Sequence, residues 1–432
     1  MTDNSSVHRF ESEHGLHLFL TNGSRIYDLA PQIAEEIEIA MADGEAAVSA
    51  ILARYGLSSP PYIDDAAPVD PPVRALSLAI AQKCNLACGY CYAASGEFGG
   101  LPKNMSWEVA CAAIQRLIED AQPGERVNLA FLGGEPLINR ELIQRATVFA
   151  AQEAALRRVS IGFSITTNGT LLTPGDAAFF EEHGFAITVS LDGIGEDHDR
   201  LRPFRGGGGT YERIISRVAP LLARQKRMQV SARVTVTPLN VGLVQALDRF
   251  IGLGFHSVGF APVLSAPRSQ FELQASDLEI LLEEMIGCGR KFEQEMLAGR
   301  RYPFSNMTEA LRQIHRGTHR PYPCGAGAGY FGVSADGGMY VCHRFVENAV
   351  AKLGDVSVGL DREKRRNWLT DRHVHRQQPC SQCWARYLCG GGCHHEVIHR
   401  GRPACEFIRG WLHYCLTAYV NLSEQRPELF SK

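Results

Sequence analysis

Between residues 76 and 263 the chain repeats one local pattern six times: a short aliphatic run, a polar loop, then a helix-like stretch. The runs are LSLAIA (76–81), VNLAFL (127–132), IGFSIT (161–166), AITVSL (186–191), VSARVTV (230–236) and SVGFAPV (257–263). Between them lie amphipathic stretches such as SWEVACAAIQRLIEDA, with Trp107, Cys111, Ile114 and Ile118 on one face. Buried strands alternating with helices predict an α/β fold with parallel strands and right-handed crossovers. An open doubly wound sheet and part of a barrel both satisfy the pattern, and in both the chemistry collects at the carboxyl ends of the strands.

Those ends carry the chain's polar motifs. The first run leads into CNLACGYCY, which packs Cys84, Cys88 and Cys91 into eight residues. Three thiolates on one short loop suit a four-iron cubane with one iron left open; a three-cysteine zinc site is the other reading. The second run ends in Gly133-Gly134-Glu135-Pro136, where two glycines admit a close approach to the backbone and a carboxylate can accept from an ammonium. The third ends in TTNG with Asn168, and the fourth in Ser190-Leu191-Asp192-Gly193, both offering short polar side chains. Singly each of these reads as turn chemistry.

Together and in this order, CxxxCxxC with Tyr90 before its last cysteine, then GGEP, then the two polar strand ends, resemble the radical S-adenosylmethionine (SAM) enzymes. The resemblance implies a partial (β/α)6 barrel and a 4Fe-4S cluster on Cys84, Cys88 and Cys91. It also implies SAM held by Tyr90, Gly133, Gly134, Glu135, Asn168, Ser190, Asp192 and Arg233, and cleaved to a 5'-deoxyadenosyl radical. Arg233 reads equally well as an inward arginine satisfied by barrel carbonyls.

The remaining cysteines crowd the last 110 or so residues. Cys324 and Cys342 are followed by CSQCWARYLCGGGC, with Cys380, Cys383, Cys389 and Cys393, and then by Cys405. This resembles the SPASM extension of peptide-modifying radical SAM enzymes, which implies two auxiliary 4Fe-4S clusters and three in all. Cys324, Cys342 and Cys393 would serve the inner cluster, one thiolate short, and Cys380, Cys383, Cys389 and Cys405 the outer one. Cys415, ten residues past Cys405 on a helical stretch, lies about 15 Å along the axis and so does not share the outer cluster; it either reaches the inner cluster or, the favoured reading, is a core thiol. Cys111 and Cys288 are read as core residues too. Where sulfatase-maturing relatives carry an aspartate after the second of these cysteines, this chain has His343, a candidate proton acceptor.

The amino-terminal segment has a different character. LHLFLTNGSRIYDL predicts a hairpin about its Asn-Gly turn, and PQIAEEIEIAMADGEAAVSAILARYGL two helices, the first with Ile33, Ile37 and Ile39 or Ala40 inward. Hairpin plus helices resembles the winged-helix modules that hold a leader peptide by strand addition, and equally a plain cap. The expected organisation is a module over 1–58, a proline-rich linker over 59–74, the barrel over 75–315 and the cysteine-rich extension over 316–432.

A formal charge of −3 gives no electrostatic reason to expect nucleic acid or an anionic membrane as partner. No apolar run approaches a membrane span, and thirteen cysteines suit a reducing, cytoplasmic compartment. The expectation is a maturase of a peptide or small protein that draws electrons from a flavodoxin or ferredoxin. Its anticipated reaction is a thioether crosslink, as in maturases of the quinohemoprotein amine dehydrogenase small subunit. Carbon-carbon crosslinking, oxidation of a serine or cysteine, and a zinc-binding peptide adaptor are the alternatives.

Overall fold

The computed structural model describes residues 5–58 and 60–431. They fall into two compact units, neither continuous in the chain: one drawn from residues 1–67, 278–324 and 370–432, the other from 68–277 and 325–369.

The first unit begins with a three-stranded antiparallel sheet, β1 (Val7–Ser12), β2 (Gly15–Leu20) and β3 (Arg25–Leu29). The β2–β3 hairpin turns through Asn22 and Gly23, the latter at φ +96°. Two helices follow, Pro31–Asp43 and Glu45–Arg54. Their inward residues pack with the sheet into one core of Val7, Leu18, Leu20, Ile37, Ala40, Val48 and Leu52. Of the residues expected inward, Ile37 and Ala40 are buried while Ile39 is 58% exposed, because the first helix turns its Ala34–Ile37–Ala40 stripe to the core. In the same unit the Ala275–Leu297 helix buries Leu281, Met285, Cys288 and Phe292, on the expected face. The amino-terminal sheet also packs on the cysteine-rich segment. His8 stacks on Trp384 with ring centroids 3.7 Å apart, the Thr21 hydroxyl donates to the Trp384 carbonyl at 3.1 Å, and Arg386 donates to the Ser5 carbonyl.

The second unit is built on one large sheet. All six expected strands are present: β4 (Ala75–Gln82), then, past the short β5 (Lys103–Asn104), β6 (Arg126–Gly133), β7 (Ser160–Thr167), β8 (Ala186–Ser190), β9 (Gln229–Val236) and β10 (Ser257–Pro262). They lie in the order β4-β6-β7-β8-β9-β10, each parallel to the next. A doubly wound sheet reverses its strand order at a switch point. This one never reverses, which is the winding of a barrel. On the other side of β4 the sheet continues into β11 (Tyr330–Val333), parallel to β4, and then antiparallel through β12 (Gly338–Tyr340), β13 (Lys352–Asp355) and β14 (Gly359–Leu360).

Helices cover the strands. Trp107–Glu119 buries Ala110, Ala113, Ile114, Leu117 and Ile118 while Trp107 and Cys111 are half-buried, so the core face is rotated from the expected one toward the small alanines. Ser106 caps that helix through Val109 N–H, and Thr173 with Asp176 forms a capping box on Pro174–His183. Arg365, buried, donates to the carbonyls of Pro71, Gly327 and Ala328, so the segment entering β4 is fastened to the turn before β11.

Candidate active site

The cysteine loop leaves the end of β4 and is held on three sides. Beneath it, Gly134 N–H donates to Ala81 O and Glu135 N–H to Lys83 O, both at 2.9 Å. A Cβ on Gly133 would stand 2.3 Å from Ala81 O, and one on Gly134 2.3 Å from Lys83 O and 2.7 Å from Gly96 Cα. The two glycines thus admit the protein's own backbone, where a ligand's approach was expected. At one flank, residues 85–87 pair antiparallel with 203–205: Ala87 N–H donates to Pro203 O at 2.9 Å and Arg205 N–H to Asn85 O at 3.0 Å. Above, Gly89 packs so closely on Phe271 that a Cβ would lie 2.3 Å from its ring.

Within this seat Cys84, Cys88 and Cys91 are free, half-buried thiols. Burial pushes the Cys84 thiol up and Cys88 to about 12, with the Arg202 guanidinium working the other way on both. Cys84 Sγ receives Leu86 N–H at 3.4 Å and the Asn168 amide at 3.7 Å. Buried thiols with backbone and amide donors aimed at sulfur, and a cation close by, fit a thiolate-held cluster. Among the described residues no three His, Cys, Asp or Glu side chains converge on a single-ion site; a cubane needs no such convergence, since each iron takes its own thiolate.

The strand-end motifs meet around this loop. Glu135 is fully buried; Oε1 accepts from the Thr167 hydroxyl (2.7 Å) and Leu137 N–H (3.1 Å), and Oε2 from Asn168 N–H (2.7 Å). Three of roughly four acceptor positions are taken, leaving one for a ligand. Burial pushes this carboxyl up, against the three donors. Asn168 is itself tied to Asn85 and Thr170. Asp192, also fully buried, accepts from Thr235 N–H at 2.7 Å on Oδ1, and from Tyr90 and Arg202 on Oδ2. Tyr90 and Asp192 are therefore braces of the cysteine loop in this structure. Ser190 ends β8 half-buried, opposite Arg233 on β9, whose side chain is exposed within the described chain.

His343 belongs to the same unit. Its Nδ1 lies 2.6 Å from the Tyr330 hydroxyl, which lies 2.7 Å from Ser77 Oγ, and its ring stands edge-on to Tyr92. Burial, with Arg344 and Arg233 nearby, pushes the imidazole down to about 4, so it is neutral at pH 7. Cys342, beside it, is buried.

The four cysteines expected to hold the outer cluster all lie in the first unit. Cys380, Cys383, Cys389 and Cys405 lie within electrostatic reach of one another, beside Arg402, and burial pushes Cys380 up to about 11. Gly391 and Gly392 donate backbone N–H groups to Cys389, and Arg402 binds the Gly391 carbonyl and the Gln377 side chain. Cys324 is exposed and Cys393 starts the short His394–Arg400 helix; both lie in this unit, Cys342 in the other. Cys415 is fully buried, its sulfur 3.9 Å from that of Met307.

Sequence reasoning missed Arg202, His198, Tyr330 and Arg402. The first two sit in GEDHDRLR just past the Asp192 motif, where dense charge reads as a solvated helix.

Comparison with known proteins gives this geometry its context. Residues 78–249 match the radical SAM superfamily. The serine-type anaerobic sulfatase-maturating enzyme of Klebsiella aerogenes is 27% identical over 336 residues, covering 74% of this chain and 80% of that protein. The fold is shared with the structure of native anSMEcpe with bound AdoMet and Cp18Cys peptide (TM-score 0.68, 21% identity, 82% of this chain and 99% of that one). It is shared more loosely with Streptococcus suis SuiB bound to precursor peptide SuiA (TM-score 0.54, 16% identity, 93% and 97%). Residues 78–249 are a radical SAM domain, and the chain that carries it is an enzyme using SAM and 4Fe-4S chemistry, with a cysteine-rich carboxyl-terminal extension.

Proposed function

We propose that this enzyme matures a peptide or small protein by removing two hydrogens and joining a substrate cysteine sulfur to a substrate carbon as a thioether. The relatives' substrates, sulfatases and precursor peptides, support the coarser part of that reading. The finer part is carried by Cys415. Its sulfur packs in the core against Met307, which supports reading Cys415 as a core thiol; the inner set implied by the sequence resemblance, Cys324, Cys342 and Cys393, would then be one thiolate short and leave a position for a substrate thiolate.

When loaded, SAM and the clusters supply the hydrogen-abstracting 5'-deoxyadenosyl radical and an acceptor for the electron left behind. The chain's residues bind and orient. Cys84, Cys88 and Cys91 hold the catalytic cluster. The Gly133–Gly134 backbone, the last acceptor position of Glu135, Asn168, Ser190 and Arg233 line the strand ends for SAM. Cys380, Cys383, Cys389 and Cys405 hold the outer auxiliary cluster, three clusters in all. His343, hydrogen-bonded to Tyr330 and next in sequence to Cys342, is the acceptor for the proton of an incoming thiol. In the amino-terminal module, residues 1–58, β3 has β2 as its one strand neighbour among the described residues and offers its other edge to a leader segment. A cytoplasmic setting with a flavodoxin or ferredoxin as donor goes with this reading. Among the described residues no helix is long and apolar enough to cross a membrane.

The test is mass and thiol accounting on a cysteine-containing candidate peptide. The product is about two mass units lighter, loses one alkylatable thiol and keeps that loss after reduction. A serine-for-cysteine peptide that gains an aldehyde instead supports the second reading, sulfatase-type oxidation, which the Klebsiella relative favours. Two hydrogens lost with the thiol still free supports carbon-carbon crosslinking.

A further inference from the structure

The antiparallel pairing beside the cysteine loop places one side chain with unusual consequence. Leu86 stands opposite Phe204, flanked by the hydrogen bonds Ala87 to Pro203 and Arg205 to Asn85. Beyond that pairing Arg202 and Cys88 meet on the same residue: Arg202 Nη1 donates to the Tyr90 hydroxyl, and Cys88 packs with Tyr90. Cys88 packs against Tyr90, Leu201, Val263 and Phe271, so the residue before Arg202 lines the same apolar wall. Arg202 is 8% exposed, and its Nη1 is clamped by the Tyr90 hydroxyl and, at 3.2 Å, by Asp192 Oδ2. Its Nε is buried and finds no acceptor among the described residues. A buried donor in that condition is destabilising unless a further group receives it.

We propose that Arg202 is a positioning residue whose guanidinium faces the cluster at Cys88, its Nε–H serving the thiolate edge and its charge making that cluster easier to reduce. Reduction adds one electron and no proton, so a fixed positive charge beside the cluster stabilises the reduced form more than the oxidised one. Tyr90 and Asp192 hold the guanidinium in place. The inference rests on the radical SAM domain and is indifferent to which modification follows.

The test is a mediator titration of the anaerobically reconstituted full-length enzyme, followed by electron paramagnetic resonance with and without SAM, so that the SAM-responsive signal isolates this cluster. Arg202→Gln should load iron as wild type does, yet show a reduced-to-oxidised ratio about tenfold or more lower at a fixed potential. Arg202→Lys, which keeps the charge and loses the planar fork, should stay within about threefold of wild type. A wild-type potential in Arg202→Gln overturns the proposal, as does an equal shift in both variants, which would mean packing and not charge. If Arg202→Gln takes up no iron, Arg202→Lys decides alone: a SAM-responsive signal near the wild-type potential supports the assignment, and its loss or displacement overturns it.

Discussion

Gly134→Ala should unseat the cysteine loop. The added Cβ would meet three backbone atoms: Lys83 O at 2.3 Å, Lys83 C at 2.5 Å and Gly96 Cα at 2.7 Å. No rotamer relieves such contacts, so Lys83 and its neighbour Cys84 must move by roughly an ångström or the end of β6 must bend. Overpacking of this kind costs about 1–3 kcal/mol, and an all-backbone clash belongs near the upper figure. At about 2–4 °C per kcal/mol that is a fall in Tm of about 6–12 °C. Gly252→Ala is the matched control, since it ends a helix of the same unit with nothing within 4 Å of its new Cβ, and should change stability by less than about 1 kcal/mol. Thermal melts and iron content are read together. Gly134→Ala should lose stability and load less iron on the SAM-responsive cluster. A Gly134→Ala protein as stable and as well loaded as Gly252→Ala would refute the close-packing account of GGEP.

His198 makes stability fall with acid. Its ring is pushed down to about 3, chiefly by burial, and accepts Asp192 N–H at Nδ1 (3.1 Å); the unfolded chain takes a proton from about pH 6.5 downward while the native state does not. Stability is therefore whole above about 6.5 and is lost as pH falls toward 3, and urea unfolding at pH 7 and 5 should show about 1–2 kcal/mol more loss in wild type than in His198→Gln. Cys415→Ala should cost roughly 1–2 kcal/mol by emptying a buried site and leave iron per chain unchanged; a loss of iron would make Cys415 a ligand. Replacing Cys84, Cys88 and Cys91 together with alanine should abolish 5'-deoxyadenosine formation and retain about eight of about twelve irons, and residual SAM cleavage would move the catalytic cluster elsewhere.

The sequence was readable where the information is local. Each of the six apolar runs became a strand, because β-branched and aliphatic residues bounded by turn chemistry leave few alternatives. The cysteine loop and its companion motifs fell at strand ends for the same reason. Strand β1 went unread because VHRFES alternates weakly and is polar at His8, Arg9 and Glu11. Strands β11–β14 went unread because they are short and glycine-rich, and the first of them, on which the others build, acquires meaning only through pairing with β4 some 250 residues away. The glycines of GGEP were identified by type, but what approaches them is set by tertiary packing. Arg202 lay hidden in a charge-dense stretch, and only the folded chain brings it to Tyr90.

The three-segment composition of the first unit bears on how the chain is made. Its amino-terminal sheet leaves the ribosome well before Trp384 and Arg386, on which His8, Thr21 and Ser5 rest and which emerge more than 300 residues later. At about 5–20 residues per second that is a wait of roughly 15–60 seconds. In that interval β4 and β6–β10 pair as each neighbour appears, whereas β1 waits with its stacking contact on Trp384 unmade. Synthesis thus passes through an interval in which a hairpin and its helices stand ready while their docking surface does not exist, and chaperones or premature peptide binding have their best opportunity to act on it then.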